Sequence, residues 1–265
     1  MDKFYSVVEV IIKSDYIFED DIWNKFAVIE DSEREKANIV IKAGRGKRYY
    51  GRKFIKLKSN DYMLLISNDG EAIVNSEWSM IYIVNYRNFE QIKNIVIDVF
   101  NVWITRRKML LFHSSIIKFW NQGIMFLGPS GIGKTTQAEL WKKYRDALII
   151  NGDVVLVQET PDTFLGWGTP WHGSSPYCEN TSVPVAAMVV LKQAPKNSIR
   201  ELTGFEKVTE VSNSVFYPQW VEGGMELCLE TLDHLLTKIP VYELSCRPDE
   251  GAVELVEQVV FGHVQ

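Results

Sequence analysis

Cysteine is scarce in this chain: three residues, Cys178, Cys228 and Cys246, stand far apart in 265. None forms a CxxC pair, so neither a zinc ribbon nor a disulfide framework is supported, and all three are expected to be reduced, structural thiols. Long apolar runs are missing too. No uninterrupted stretch approaches the roughly 18 residues that a membrane span needs. The opening residues, MDKFYSVVEVIIKSDYIFEDD, hold neither a basic region leading into a long apolar core nor a small-residue cleavage site, so no secretory signal is expected. Repeats and low-complexity segments are absent. Positive charge is in deficit: the formal net charge is −5, which argues against generic nucleic-acid affinity. The expectation is a cytoplasmic protein with neither nucleic acid nor membrane as a partner.

Core material, by contrast, is plentiful. The chain is 46% hydrophobic and 12% aromatic, too apolar for a disordered polypeptide. At this length roughly three quarters of the unfolded surface can be buried, so neither disulfide nor structural metal is required.

Residues 1–87 read as a small β-rich domain. Short β-branched or aromatic runs fall at 7–12, 38–42, 54–57, 62–66, 72–74 and 80–84. Turn signals separate them, notably Ala43-Gly44-Arg45-Gly46 and Ser67-Asn68-Asp69-Gly70, the latter suited to a tight hairpin. This reads as an antiparallel unit. At Asn88 the pattern changes. Phe89, Ile92, Ile95, Val96, Val99, Phe100, Trp103 and Ile104 recur at helical spacing, which predicts one linking helix over 88–107 ending at the Arg106-Arg107-Lys108 cluster. The second domain, 88–265, alternates strands at 109–118, 123–127, 147–150, 183–191 and 241–244 with helices after residue 133 and over 227–237 and 249–260, an α/β pattern.

Within that domain, Gly128-Pro129-Ser130-Gly131-Ile132-Gly133-Lys134-Thr135 fits G-x-x-x-x-G-K-[ST]. A predicted strand precedes it and a predicted helix follows, as the chemistry requires. Glycines let consecutive backbone N–H groups turn inward around phosphate oxygens, and the helix start adds its positive dipole end. Lys134 would reach the β- and γ-phosphates, and the Thr135 hydroxyl would hold Mg²⁺. By chance a chain of this length matches the pattern roughly once in a hundred, given Gly at about 7% of residues. The reading is therefore binding of a nucleotide with Mg²⁺. Asp153 ends the next strand, where a carboxylate can ligate Mg²⁺ or accept a proton from an attacking hydroxyl. The structural alternative for Asp153 is a turn cap.

The run Leu111-Phe112-His113-Ser114-Ser115, then Gly123 through Gly128 to Thr135-Thr136, then Ile150-Asn151-Gly152-Asp153, resembles the catalytic domain of HPr kinase/phosphorylase. That family shares its P-loop core with ATP-dependent phosphoenolpyruvate carboxykinase. Gly168-Thr169-Pro170-Trp171-His172-Gly173 and Asn180-Thr181-Ser182-Val183-Pro184 resemble an HPr-kinase-like subgroup, some of whose members phosphorylate serine on lasso-type precursor peptides. The resemblance covers about residues 108–258. It implies an α/β P-loop kinase core of HPr kinase / PEP carboxykinase type, with Gly128, Pro129, Ser130, Gly131, Ile132, Gly133, Lys134, Thr135 and Thr136 cradling nucleotide. It further implies that Thr135 and Asp153 hold metal, and that His113, Lys134 and Asp153 act in catalysis, with His113 close to the transferred phosphate. The family has an Asp-Asp segment where this chain has Gly152-Asp153, so one carboxylate is missing. Hexamers occur in the family, which makes a homo-oligomer one of the expectations.

Bland readings stand beside these. His113 also suits a half-buried strand position, His172 is a loop residue open to either role, and Trp167 and Trp171 read as packing or loop anchors, with stacking on an adenine or shaping a peptide groove as the alternative. His234 and His263 show no partner. Between residues 42 and 58, Lys42, Arg45, Lys47, Arg48, Arg52, Lys53, Lys56 and Lys58 occur without an acidic residue. That stretch reads as a solvated hairpin face, with docking of an acidic peptide or of nucleic acid as alternatives. The leading functional expectation is an ATP-dependent kinase acting on serine of a peptide or small protein, a precursor peptide included. Its rivals are a nucleotide-sensing module without turnover and a kinase of hydroxylated metabolites.

Overall fold

A computed structural model describes residues 2–16, 18, 21–28, 37–43, 57–58, 62–67, 70–86, 88–218 and 221–262. The described chain is mixed α/β, with two sheets and six helices. It divides into two compact units, Met1–Arg107 with Pro218–Met225, and Lys108–Tyr217 with Glu226–Gln265.

The first unit comprises β1 (Lys3–Val7), β2 (Val10–Ser14), α1 (Asp21–Asn24), β3 (Ile39–Ala43), β4 (Leu57–Lys58), β5 (Tyr62–Ser67), β6 (Gly70–Asn75), β7 (Met80–Asn85) and α2 (Phe89–Thr105). Its seven strands lie in the order β1-β2-β3-β7-β6-β5-β4. The sheet is not purely antiparallel, because β3 runs parallel to both β2 and β7. The connections on either side of β3 are each longer than the dozen or so residues a parallel crossover needs. The apolar run 7–12 is a hairpin rather than one strand: Val8 and Glu9 turn the chain at positive φ (52° and 61°) and Val7 pairs with Val10. The centre of the 67–70 turn, the 43–46 turn beyond Ala43, residues 54–56 and most of the basic stretch lie outside the described residues. Asn88 caps α2 by accepting from the Gln91 N–H at 3.1 Å, and Arg107 Nη1 donates to the Trp103 carbonyl at its other end. The helix packs beside β6 and β7. This helix lies within the first compact unit, which runs to Arg107.

The second unit holds β8 (Met109–His113), β9 (Ser115–Phe119), β10 (Gln122–Leu127), α3 (Lys134–Arg145), β11 (Leu148–Asn151), β12 (Val154–Glu159), β13 (Phe164–Gly168), β14 (Ser182–Gln193), β15 (Ser198–Glu201), α4 (Gly204–Ser212), α5 (Gly224–Lys238), β16 (Val241–Cys246) and α6 (Glu250–Phe261). Strand order is β11-β9-β10-β14-β13-β12-β8, with β16 parallel beside β14 and β15 antiparallel to β16. Both faces are covered. Met125, Leu127, Met188 and Val190 pack with Val211 of α4 and Leu232 and Leu235 of α5. Ile124, Phe126, Val189 and Leu191 pack with Ala138 and Trp141 of α3 and with Val253 and Val256 of α6. Double coverage explains why these strands read as continuous apolar runs.

Two differences from the sequence reading shape the site. The run 109–118 is not one strand: it breaks at Ser114, so that β8 pairs with β12 while β9 pairs with β10 and β11. The chain 148–159 breaks in the same way between Asn151 and Val154. The two breaks meet, since the Ser114 N–H donates to the Asp153 carbonyl at 2.9 Å. The turn before β10 is made by Trp120-Asn121, both at positive φ. No described helix is long and apolar enough to cross a membrane.

Candidate functional site

β10 delivers the chain directly into the glycine turn. Gly128, Gly131 and Gly133 all take positive φ (135°, 80° and 114°), which side-chain-bearing residues rarely adopt. Nothing lies within 4 Å of where a Cβ on Gly131 would stand, so the space over the turn is open. Pro129 and Ser130 are exposed at the turn's tip, whereas Ile132 packs down against the core. α3 begins at Lys134, with Gly133 as an N-cap that supplies no side-chain hydrogen bond.

Lys134 is a nearly buried cation, 6% exposed. Its ammonium donates to the carbonyls of Gly128 (3.0 Å) and Pro129 (3.1 Å) and to His113 Nε2 (2.9 Å). Burial lowers its pKa from the ordinary lysine value, and the negative charge of Asp153 opposes that pull. With Nε2 accepting, the imidazole proton sits on Nδ1, which lies 3.1 Å from Asp153 Oδ1. The order is Asp153–His113–Lys134, from a strand break, a strand end and a helix start.

Neighbouring groups fix each member. Opposed pairing of His113 with Val154 brings β8 beside the start of β12. Buried Asn151 accepts from the N–H groups of Asp153 (2.8 Å) and Val154 (3.0 Å) through Oδ1, and donates through Nδ2 to the Thr169 carbonyl. Ser115 Oγ donates to the Lys134 carbonyl at 2.9 Å, and Thr135 Oγ1 donates to the Gly152 carbonyl at 3.1 Å. The loop after β13 closes over the acid: a Cβ on Gly173 would collide with the Asp153 carboxylate. A Cβ on Gly152 would strike the Ser175 hydroxyl. The missing second carboxylate is thus a matter of space, because Ser175 occupies it.

The structure brings His113, Lys134, Thr135 and Asp153 together around the turn. Thr136 is set apart from them, exposed and facing a neighbouring cleft with Gln137. His172 Nδ1 lies 2.6 Å from the Ser175 carbonyl, which ties the loop to itself. Trp167 Nε1 donates to Gln158, and Trp171 is buried. His234 does have a partner, lying 3.2 Å from Glu159 Oε1. His263 lies outside the described residues. Sequence reasoning gave no role to Ser115, Asn151, Gly173 or Ser175. An Asn two residues before the acid was the available signal, since Asn side chains bond backbone N–H groups two residues on.

The residues fit a nucleotide with Mg²⁺. A buried cation held by carbonyls and an imidazole, below an open glycine turn, is placed to take the anionic oxygens of a phosphate. Among the described residues no group of three or more His, Cys, Asp or Glu could hold a metal. Mg²⁺ needs no such group, because one or two protein oxygens and substrate phosphates usually complete its shell. Thr135 and Asp153 are the oxygens available.

No family model and no curated protein matches the chain. Among solved structures it is similar to the HPr(Ser) kinase/phosphatase from Coxiella burnetii, at 13% identity and a TM-score of 0.34. The match covers 58% of this chain and 95% of that one.

Proposed function

We propose that the second unit is a P-loop kinase domain that binds Mg²⁺–ATP and transfers the γ-phosphoryl group to a hydroxyl, that of serine in a peptide or small protein. In this reading the first unit is a separate β-rich domain. One observation carries the proposal: the buried Lys134 ammonium at the glycine turn, linked through His113 to Asp153.

In this reading the turn's N–H groups and Lys134 bind the β- and γ-phosphates. Lys134 moves from the Gly128 and Pro129 carbonyls to phosphate oxygens, which gives a buried cation a direct anionic partner. Thr135 and Asp153 would hold Mg²⁺, whose chemistry is to neutralise charge spreading over the transferring group. Asp153 Oδ1 stays with His113, and Oδ2, beside Gly173, takes the acceptor's proton. The acceptor O–H bond breaks as its O–P bond forms, and the bond from γ-phosphorus to the bridging oxygen breaks to release ADP. Gly173 leaves room at Oδ2 that any larger residue would fill.

Incubation with γ-radiolabelled ATP and serine-containing peptides tests this. Label on serine, lost with Lys134→Ala, is the expected result; ATP binding without label on any peptide or metabolite acceptor contradicts it. A second reading, a nucleotide sensor without turnover, is favoured by the single carboxylate at Gly152-Asp153. It is distinguished by a nucleotide-dependent change in partner affinity with no ADP formed.

A further inference from the structure

We infer that Ser174 is a phosphoryl acceptor within this chain: the site phosphorylates its own turn, and the phosphorylated turn then blocks the site. This rests on the phosphoryl-transfer reading above, which puts the acceptor beside Asp153 Oδ2. Gly173 stands at that position, since a Cβ on it would collide with the same oxygen. The next residue is a serine. The Ser175 N–H donates to the His172 carbonyl at 2.9 Å, which closes a tight turn with Gly173 and Ser174 at its corners. Gly173 takes φ 56°, the left-handed conformation that glycine supplies at a turn corner. Both feet of the turn are tied to the chain around the acid. Asn151 Nδ2 donates to the Trp171 carbonyl on one side, and the Gly152 N–H donates to the Tyr177 carbonyl on the other. The tip is therefore held beside Asp153.

Other hydroxyls around the site are buried or engaged. Ser114 and Ser175 are buried, and Ser175 Oγ accepts from the Tyr177 N–H. Ser115 donates to the Lys134 carbonyl, Thr135 to the Gly152 carbonyl and Thr169 to the Val154 carbonyl. Ser174, by contrast, is exposed. A serine tethered one residue from the acceptor position needs no encounter with the site, so it competes well against a dissolved peptide. The step has the same balance as transfer to a peptide. The Ser174 O–H bond breaks and its proton passes to Asp153 Oδ2. The bond from Oγ to γ-phosphorus forms, and the bond from γ-phosphorus to the bridging oxygen breaks to release ADP. The product carries a charge of about −1.5 to −2 at neutral pH. Beside Asp153 that charge repels the carboxylate, and the phosphate fills the position that a peptide serine must enter.

Incubation of the full chain with γ-radiolabelled ATP and Mg²⁺, with no peptide present, tests the inference. Label should approach about one phosphate per chain, located at Ser174 by mass spectrometry of proteolytic fragments. Its rate constant should not change with protein concentration, as a step within one chain requires. Ser174→Ala should lose the label with its melting temperature unchanged, and Ser174→Thr should keep it as phosphothreonine. Preincubation with unlabelled ATP should slow later labelling of a serine peptide by roughly tenfold or more in the native chain, and not in Ser174→Ala. Label on Ser130, Thr136 or any other residue, a rate constant that rises with protein concentration, or a labelled peptide beside an unlabelled chain would overturn the inference alone. Full labelling of Ser174 with peptide transfer undiminished would overturn the block. Absence of label from chain, peptide and metabolite acceptors alike would instead overturn the kinase reading, and this inference with it.

Discussion

The two sheets are built from similar residues and differ in how they are covered. In the first unit, burial alternates along the strands: Ile39 and Ile41 point inward while Val40 is half-exposed, and Ala72 and Val74 are buried while Ile73 is not. In the second unit, Ile124 through Leu127 and Met188 through Leu191 are buried without interruption. The alternating sheet has one committed face; the continuous one has two, with helices on each. Coverage of both faces leaves the strand ends as the places where polar groups can gather. The glycine turn and the cleft lie at the ends of β10, β14 and β16, while His113 and Asp153 lie where β8 and β12 begin or end.

Core deletion should expose this contrast most strongly. Phe126→Ala, in a strand covered on both sides, should cost about 3–5 kcal/mol. Ile73→Ala, on the half-open face of the first sheet, should cost about 1 kcal/mol or less. Urea unfolding curves decide it, and equal losses would break the comparison. Next in size is the functional contrast. Lys134→Ala should lower phosphoryl transfer by about 10²–10³-fold, the usual cost of removing one group that stabilises transition-state charge. Glu71→Ala on the first sheet should leave the rate unchanged.

What was legible in the sequence follows the same division. The glycine turn, α2, α6 and the central strands could be read because periodicity and backbone chemistry are local. Asn88, Asp249 and the turn glycines mark boundaries within a few residues of where the chain changes direction. The break at Ser114 could not be read that way, whereas the end of β11 before Gly152 was read and β12 beyond it was not. The run through Ser114 remains apolar on each side of the break, and only pairing with two different partner strands makes it bend. β13 and α4 were missed for a related reason: Gly166, Gly168 and Gly204 weaken the local signal, and tertiary packing supplies what propensity does not. The roles of Asn151 and Ser175 are long-range as well. Asn151 supports Asp153 by reaching the Thr169 carbonyl, and Ser175 comes back to Gly152 from a separate loop.

A smaller effect sharpens the account of the missing carboxylate. Gly152→Asp should destabilise the second unit by about 1–3 kcal/mol, because the new side chain meets Ser175 in a packed site. Adding Ser175→Gly should recover most of that loss, while Ser175→Gly alone does little. Thermal melting of the single and double variants measures the coupling. Independent, additive losses would mean that space is not what keeps position 152 a glycine.

The smallest effect concerns pH and uses the first unit as a blank, since all three cysteines lie in the second. Burial raises the Cys246 thiol above the ordinary cysteine value; the Gln137 N–H donation works against that rise, and the charge of Asp249 adds to it. Alkylation needs the thiolate. Below its pKa the thiolate fraction climbs about tenfold per pH unit, so labelling of Cys246 should still be rising where a free thiol, with a pKa of about 8.5, levels off. The sign follows from the cause: burial disfavours the charged form, so thiolate is scarce at neutral pH and gained only as pH rises through the raised value. Gln137→Leu removes the donor that favours thiolate and should move the labelling curve further toward high pH. A curve that levels with free cysteine would mean the strand end at Cys246 is as open to water as the exposed face of the first sheet, and the contrast between the two sheets would not extend to their edges.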